Sequence, residues 1–154
     1  MIGIVYAAFR RVGNIRIYYD LVFCKKFLVA VELGRLKEFP SKTGVMALTY
    51  EKQLLALQKR RLRSQYENKS FLMKLRDLGR AELINYDEIS KVQICTSTLT
   101  KILSKKRKES YEQALRITFI LKNSLSITYY TSVKLRDYIK SLLKGLGISY
   151  EPCK

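Results

Sequence analysis

The hydrophobic pattern of the first 34 residues predicts β-strands, most clearly where a period of two runs over ten residues from Ile15 to Cys24. Ile2 to Phe9 is an apolar, β-branched run, and Val12-Gly13-Asn14 supplies turn chemistry after it. Ile15, Ile17, Tyr19, Leu21 and Phe23 then alternate with Arg16, Tyr18, Asp20, Val22 and Cys24. Lys25-Lys26 reads as the polar break of a hairpin. Phe27, Val29, Val31 and Leu33 form the next expected inward set, closed by Gly34. Together these segments predict a three-stranded meander.

The period changes in the middle of the chain. After a loop centred on Pro40-Ser41-Lys42-Thr43-Gly44, Thr49 is the expected N-cap of a helix running to about Glu67, with Glu51 favourable in its first turn. Leu48, Leu55, Leu62 and Tyr66 fall on one narrow stripe, which suits a helix lying on a sheet or pairing with a partner helix. Ser70 is the expected cap of a second short helix with Phe71, Leu72, Leu75 and Leu78 on its apolar face and Gly79 as its stop. Residues 49–78 are therefore read as a helical insertion within one domain, 1–154.

Strands resume at residues 81–85 and from Ile89 to about Ile102, followed by the basic loop of residues 104–110. Leu115, Ile117, Phe119 and Leu121 alternate into a turn at Lys122-Asn123-Ser124, and Leu125, Ile127 and Tyr129 pair back. Leu135, Ile139, Leu142, Leu143 and Leu146 make the apolar face of a closing amphipathic helix, ended by Gly145 and Gly147. The expected class is α+β: an antiparallel sheet or split barrel, with the helical insertion and a C-terminal helix.

Charge changes the picture most. Thirty Lys+Arg against 13 Asp+Glu give +17 over 154 residues. Self-repulsion of that size favours an acidic partner, with nucleic acid the usual one and anionic membrane or an acidic protein the others. Surface lysines that bind nothing are the plain alternative. Residues 35–80 hold twelve basic and four acidic groups, the densest excess in the chain. The main candidate contact is Lys59-Arg60-Arg61-Leu62-Arg63, with Lys52, Lys59 and Arg63 on one helical face, since phosphate contacts need no fixed side-chain geometry. The second is the loop Lys105-Lys106-Arg107-Lys108. Tyr18-Tyr19 and Tyr129-Tyr130 each place one ring inward and one outward, so an outward ring could stack a base or simply serve the strand.

Catalytic chemistry has little to stand on. The chain has no histidine, which removes the commonest acid–base catalyst and zinc ligand. Three cysteines without CxxC spacing indicate neither a zinc site nor a disulfide framework; Cys24 and Cys95 read as buried residues and Cys153 as a free tail thiol. Asp20 and Glu32 on facing strands lack the Glu-x-Lys spacing of a nuclease site. No cofactor, no metal and no enzymatic activity are expected. With no signal peptide or membrane-spanning run visible, the chain is read as soluble and cytoplasmic.

The second half, residues 81–148, resembles a prokaryotic pleckstrin-homology-like domain. Tyr86-Asp87-Glu88-Ile89-Ser90-Lys91-Val92 carries a Tyr-x-x-Ile-x-x-Val approach to a strand, followed by the Leu115–Tyr129 hairpin and the helix Val133–Leu146. The resemblance implies a split barrel plugged by that helix, with the first meander supplying the other strands. It departs from the family in lacking Trp and in its large insertion. Family members that bind phosphoinositides use basic residues of the first hairpin, where Arg10, Arg11 and Arg16 stand here without a clear motif. The resemblance also admits a membrane-surface or protein-interaction adaptor, and the Leu48/Leu55/Leu62 stripe a homodimer.

Overall fold

The computed structural model describes residues 2–37, 63–102 and 109–153. The fold is α+β and rich in strand. Eight strands form one sheet: β1 (Gly3–Val12), β2 (Ile15–Phe23), β3 (Phe27–Lys37), β4 (Ala81–Asn85), β5 (Ile89–Ile102), β6 (Glu109–Leu121), β7 (Ser126–Thr131) and β8 (Tyr150–Pro152). Their order is β4-β3-β2-β1-β7-β6-β5-β8. Neighbours run antiparallel except β8, which lies parallel to β5, so the sheet is mixed. β1 meets β7 at Phe9↔Tyr130. The helices are α1 (Arg63–Tyr66), α2 (Lys69–Asp77) and α3 (Arg136–Gly145).

Register decides which side chains reach the main core. β2 pairs with β3 as Phe23↔Leu28 and Leu21↔Ala30, and cross-strand partners share a face. Leu28 and Ala30 therefore join Ile17, Tyr19, Leu21 and Phe23 in the main core. The inward set expected on β3 is corrected accordingly. Phe27, Val29 and Val31 share the opposite face with Val22 and Cys24, beneath α2, and Leu33 belongs to a third cluster with Phe9 and Tyr18. Both faces of β2 and β3 are buried, so alternation on these strands does not separate inside from outside.

α3 fills the main core with Ile139, Leu142 and Leu143. Full burial of each such side chain is worth about 1.5–3 kcal/mol. Gly3 lies close beneath the helix: a Cβ there would lie 2.6 Å from Leu142 Cδ2 and from the Tyr138 hydroxyl, so those side-chain ends would have to shift. Ser132 Oγ accepts the Lys134 N–H just before the helix, and the Arg136 guanidinium donates to Thr96 Oγ1.

α2 packs on the other face through Phe71, Leu72 and Leu75. Its N-cap is Asn68 and not Ser70: Asn68 Oδ1 accepts from the Ser70 and Phe71 N–H groups. Gly79 ends the segment at φ +73 with its N–H on Arg76 O, while Leu78, expected on the apolar face, is 62% exposed. The expected helix from Thr49 to Glu67 lies outside the described residues apart from its last turn, α1.

The cysteines also depart from expectation. Cys95 and Cys153 form a disulfide with Cα atoms 5.5 Å apart, inside the range a bridge needs, and Cys24 is free and buried. The partners are 58 residues apart and neither lies in a sequence motif; β8 alone brings them together.

Candidate anion-binding site

Most of the basic residues singled out in the sequence fall outside the described residues: Lys52, Lys59, Arg60, Arg61, Lys105, Lys106, Arg107 and Lys108. Arg63 opens α1, but only its backbone is described. The hairpin arginines are engaged within the fold. Arg10 lies 3.6 Å from Glu82. Arg16 is buried, 4.3 Å from the Phe9 ring centre and 3.5 Å from Glu112. The tyrosines that could stack a base are largely inside: Tyr18 and Tyr19 are buried, Tyr129 fully so, and Tyr130 packs against Phe9 at 5.5 Å between ring centres. Asp20 and Glu32 do not face one another, because Asp20 pairs with Val31 and Glu32 with Tyr19. Among the described residues there is no group of three or more His, Cys, Asp or Glu able to hold a metal.

The structure brings a different set of cations together. A cavity of about 300 Å³ lies between the β2–β3 turn and the start of α2, lined by Cys24, Lys25, Lys26, Phe27, Tyr66, Glu67, Lys69 and Leu72. That volume is at the lower end of ligand pockets.

The turn that presents Lys25 and Lys26 is held from three directions. The Cys24 N–H donates to Phe27 O at 2.9 Å, and the Tyr86 N–H to Lys26 O at 3.1 Å. The Tyr86 hydroxyl donates to Cys24 O at 2.6 Å. Burial pushes that hydroxyl well above the ordinary tyrosine range, so it stays protonated and keeps donating.

Across the cavity, Tyr66 fixes α1 to the sheet. Its hydroxyl donates to Asp20 Oδ2 at 2.5 Å, and Asp20 Oδ1 accepts the Ala7 N–H at 3.2 Å. Ala7 lies at φ 61 where β1 changes register against β2, so the carboxylate satisfies an N–H that the bulge takes out of the ladder. Two residues beyond Glu67, Lys69 opens α2 with its ammonium 5.8 Å from the Phe27 ring centre.

Three exposed lysines and one exposed glutamate, Glu67, share the lining with the buried or half-buried Cys24, Phe27, Tyr66 and Leu72. Among the described residues Lys25, Lys26 and Lys69 form no ion pair. Burial raises the Cys24 thiol above its ordinary value, against the opposite pull of the N-terminal ammonium and Lys69, so the thiol is a poor nucleophile. The arrangement attracts an anion and offers it apolar surface; it holds no activated nucleophile.

Sequence reading missed this cluster because Lys25-Lys26 served only as a turn signal and Lys69 as part of a helix break. A Lys-Lys-Phe turn was the available clue, but the 43-residue separation from Lys26 to Lys69 hides the third ammonium. No family model, curated protein or solved structure matches the chain.

Proposed function

We propose that this protein is a non-enzymatic binding module for a polyanionic partner, nucleic acid first, gripped through its phosphates. The observation that carries this reading is the net charge of +17. Exposed lysines at residues 25, 26, 69, 122, 134 and 144 stand without ion-pair partners among the described residues, which supports it. Lys52, Lys59, Arg60, Arg61 and Arg63, with the loop Lys105-Lys106-Arg107-Lys108, remain the proposed main contacts. Gel-shift titration with generic duplex and single-stranded DNA and RNA tests the proposal. Each neutralised phosphate should add about 0.9 to the fall of log affinity with log salt on duplex DNA. Absent binding, or binding indifferent to salt, overturns it.

A second reading, a pleckstrin-homology-like adaptor at a membrane surface or on an acidic protein, draws on the strand order. Two antiparallel runs, β4-β3-β2-β1 and β7-β6-β5, join at Phe9↔Tyr130, and α3 packs into the core they share. A split barrel with residues 49–78 inserted in a single domain is the architecture proposed with it. Retention on vesicles of phosphatidylcholine with phosphatidylserine, without any shift of nucleic acid, would favour this reading over the first. The cytoplasmic setting stays part of the proposal against one counter-observation, the Cys95–Cys153 bridge, because disulfides persist mainly in oxidising compartments. Among the described residues no helix is long and apolar enough to cross a membrane.

A further inference from the structure

We infer that the cavity between the β2–β3 turn and α2 is a discrete binding site for a small phosphate monoester with an apolar or aromatic body. This site is separate from the extended polyanion surface proposed above. Three features of the lining carry the inference.

The first is the kind of cation. Among the described residues that line the cavity the cations are all lysines: Lys25, Lys26 and Lys69. Lysine ammonium groups act as compact point charges with three donors each and bind phosphate oxygens without a fixed fork geometry. Three lysines against the single carboxylate of Glu67 among the described lining residues make the lining net positive, which favours an anion such as a phosphate monoester.

The second is the apolar part of the lining. Phe27 is half-buried, while Leu72, Tyr66 and Cys24 are buried. A bare inorganic ion would leave this surface unused; an ester with an attached ring or short chain would cover it. The Tyr66 hydroxyl is already committed to Asp20, so the ring offers apolar area more than a donor.

The third is preorganisation. Tyr86 holds the turn at two backbone carbonyls, and the Asp20–Tyr66 bond holds the opposite side. Sites fixed before binding lose less affinity to ordering. The N-terminal N–H groups of Ser70 and Phe71 are taken by Asn68, so the lysines, not the helix terminus, do the recognising.

Calorimetric titration of the full chain with phenyl phosphate tests the inference, with inorganic phosphate and phenol as the two halves of the probe. Phenyl phosphate should bind saturably in the millimolar range or tighter, and more tightly than either half. The pair K25A/K26A and the single variant K69A should each lose about tenfold or more in affinity, while K134A/K144A, whose lysines do not line the cavity, should match wild type. All five of these lysines are exposed, and circular dichroism checks that each variant folds. No saturable heat from wild type overturns the inference. So does an equal loss from the cavity variants and K134A/K144A, which would make the effect one of net charge. Repeating the variants on vesicles of phosphatidylcholine with phosphatidic acid separates two sources of such an ester. Retention that falls only with the cavity variants assigns a lipid phosphate, and retention indifferent to all of them assigns a free one. Nucleic-acid gel shifts are read independently, so phenyl phosphate binding without them sinks only the polyanion reading, and the reverse result only this one.

Discussion

Replacing Cys153 with serine cuts the only covalent tie on the last strand, and its cost can be worked from the chain. β8 spans three residues paired with Val92–Ile94 of β5. Apart from those backbone bonds it is held by Glu151, 3.1 Å from Lys91 and 3.4 Å from Gln93, and by Lys140, 5.9 Å from the Tyr150 ring centre. Exposed ion pairs of this kind contribute about 0.2–1 kcal/mol each. The Cys95–Cys153 bridge instead closes a loop between partners 58 residues apart. On chain-entropy grounds, closing a loop of this length removes about 4 kcal/mol of unfolded-state freedom. That is a large share of the 5–15 kcal/mol by which domains are typically stable. Urea unfolding of wild type and Cys153→Ser, each with and without a phosphine reductant, reads the difference. Wild type without reductant should be the most stable sample, and reduced wild type should fall to the level of the variant. Intact mass should show wild type lighter by two hydrogens before reduction. Equal midpoints for oxidised wild type and Cys153→Ser, with the mass confirming the bond, would refute the entropic argument; a fully reduced mass after air oxidation would refute the pairing.

Two further outcomes follow from buried hydroxyls. Tyr66→Phe leaves the buried Asp20 carboxylate short of its 2.5 Å donor and should destabilise the fold by about 1–3 kcal/mol, read by urea unfolding. A variant as stable as wild type would mean that the bond contributes nothing net. Stability should also fall on the alkaline side. Burial raises the Tyr129 hydroxyl above its ordinary value of 10.0, so the folded state holds a proton that the unfolded chain releases. That contribution is fully present below pH 10 and declines above it by up to about 1.4 kcal/mol per pH unit until the folded group titrates. Urea midpoints measured from neutral pH upward check this, and a flat profile above pH 10 argues against the burial of Tyr129.

Where a single face of an element is buried, its pattern was legible from sequence. α3 shows this: Ile139, Leu142 and Leu143 are core residues as their spacing predicts. The first strands were legible as strands but not as faces, because α2 covers the back of β2 and β3 and turns Val22, Val29 and Val31 into core residues too. A period of two cannot tell the faces apart when both are apolar. β8 escaped notice because three residues ending in Pro152 carry no strand pattern, and the disulfide that depends on β8 escaped with it. The cavity was illegible for a related reason: its cations become neighbours only through the packing of α2 on the hairpin.

That packing rests on one acidic residue in a strongly basic chain. Asp20 is fully buried, and such a carboxylate is costly unless its oxygens are satisfied. It accepts from Ala7 on the β1 side and from Tyr66 on the α1 side, so one buried group both completes the bulge and fixes the start of the helical segment. Lys69 stands three residues after Tyr66, with the Asn68 cap between them setting the direction of α2. Loss of the Tyr66 hydroxyl should therefore do two separable things: lower the urea midpoint, and weaken phenyl phosphate binding even where the protein is fully folded, because the side of the cavity that carries Lys69 is no longer anchored. Removing the Tyr86 hydroxyl, which anchors the opposite side at Cys24 O, should weaken binding in the same way without touching Asp20. If Tyr66→Phe and Tyr86→Phe both bind phenyl phosphate as wild type does, the cavity does not depend on these anchors, and preorganisation is no part of its affinity.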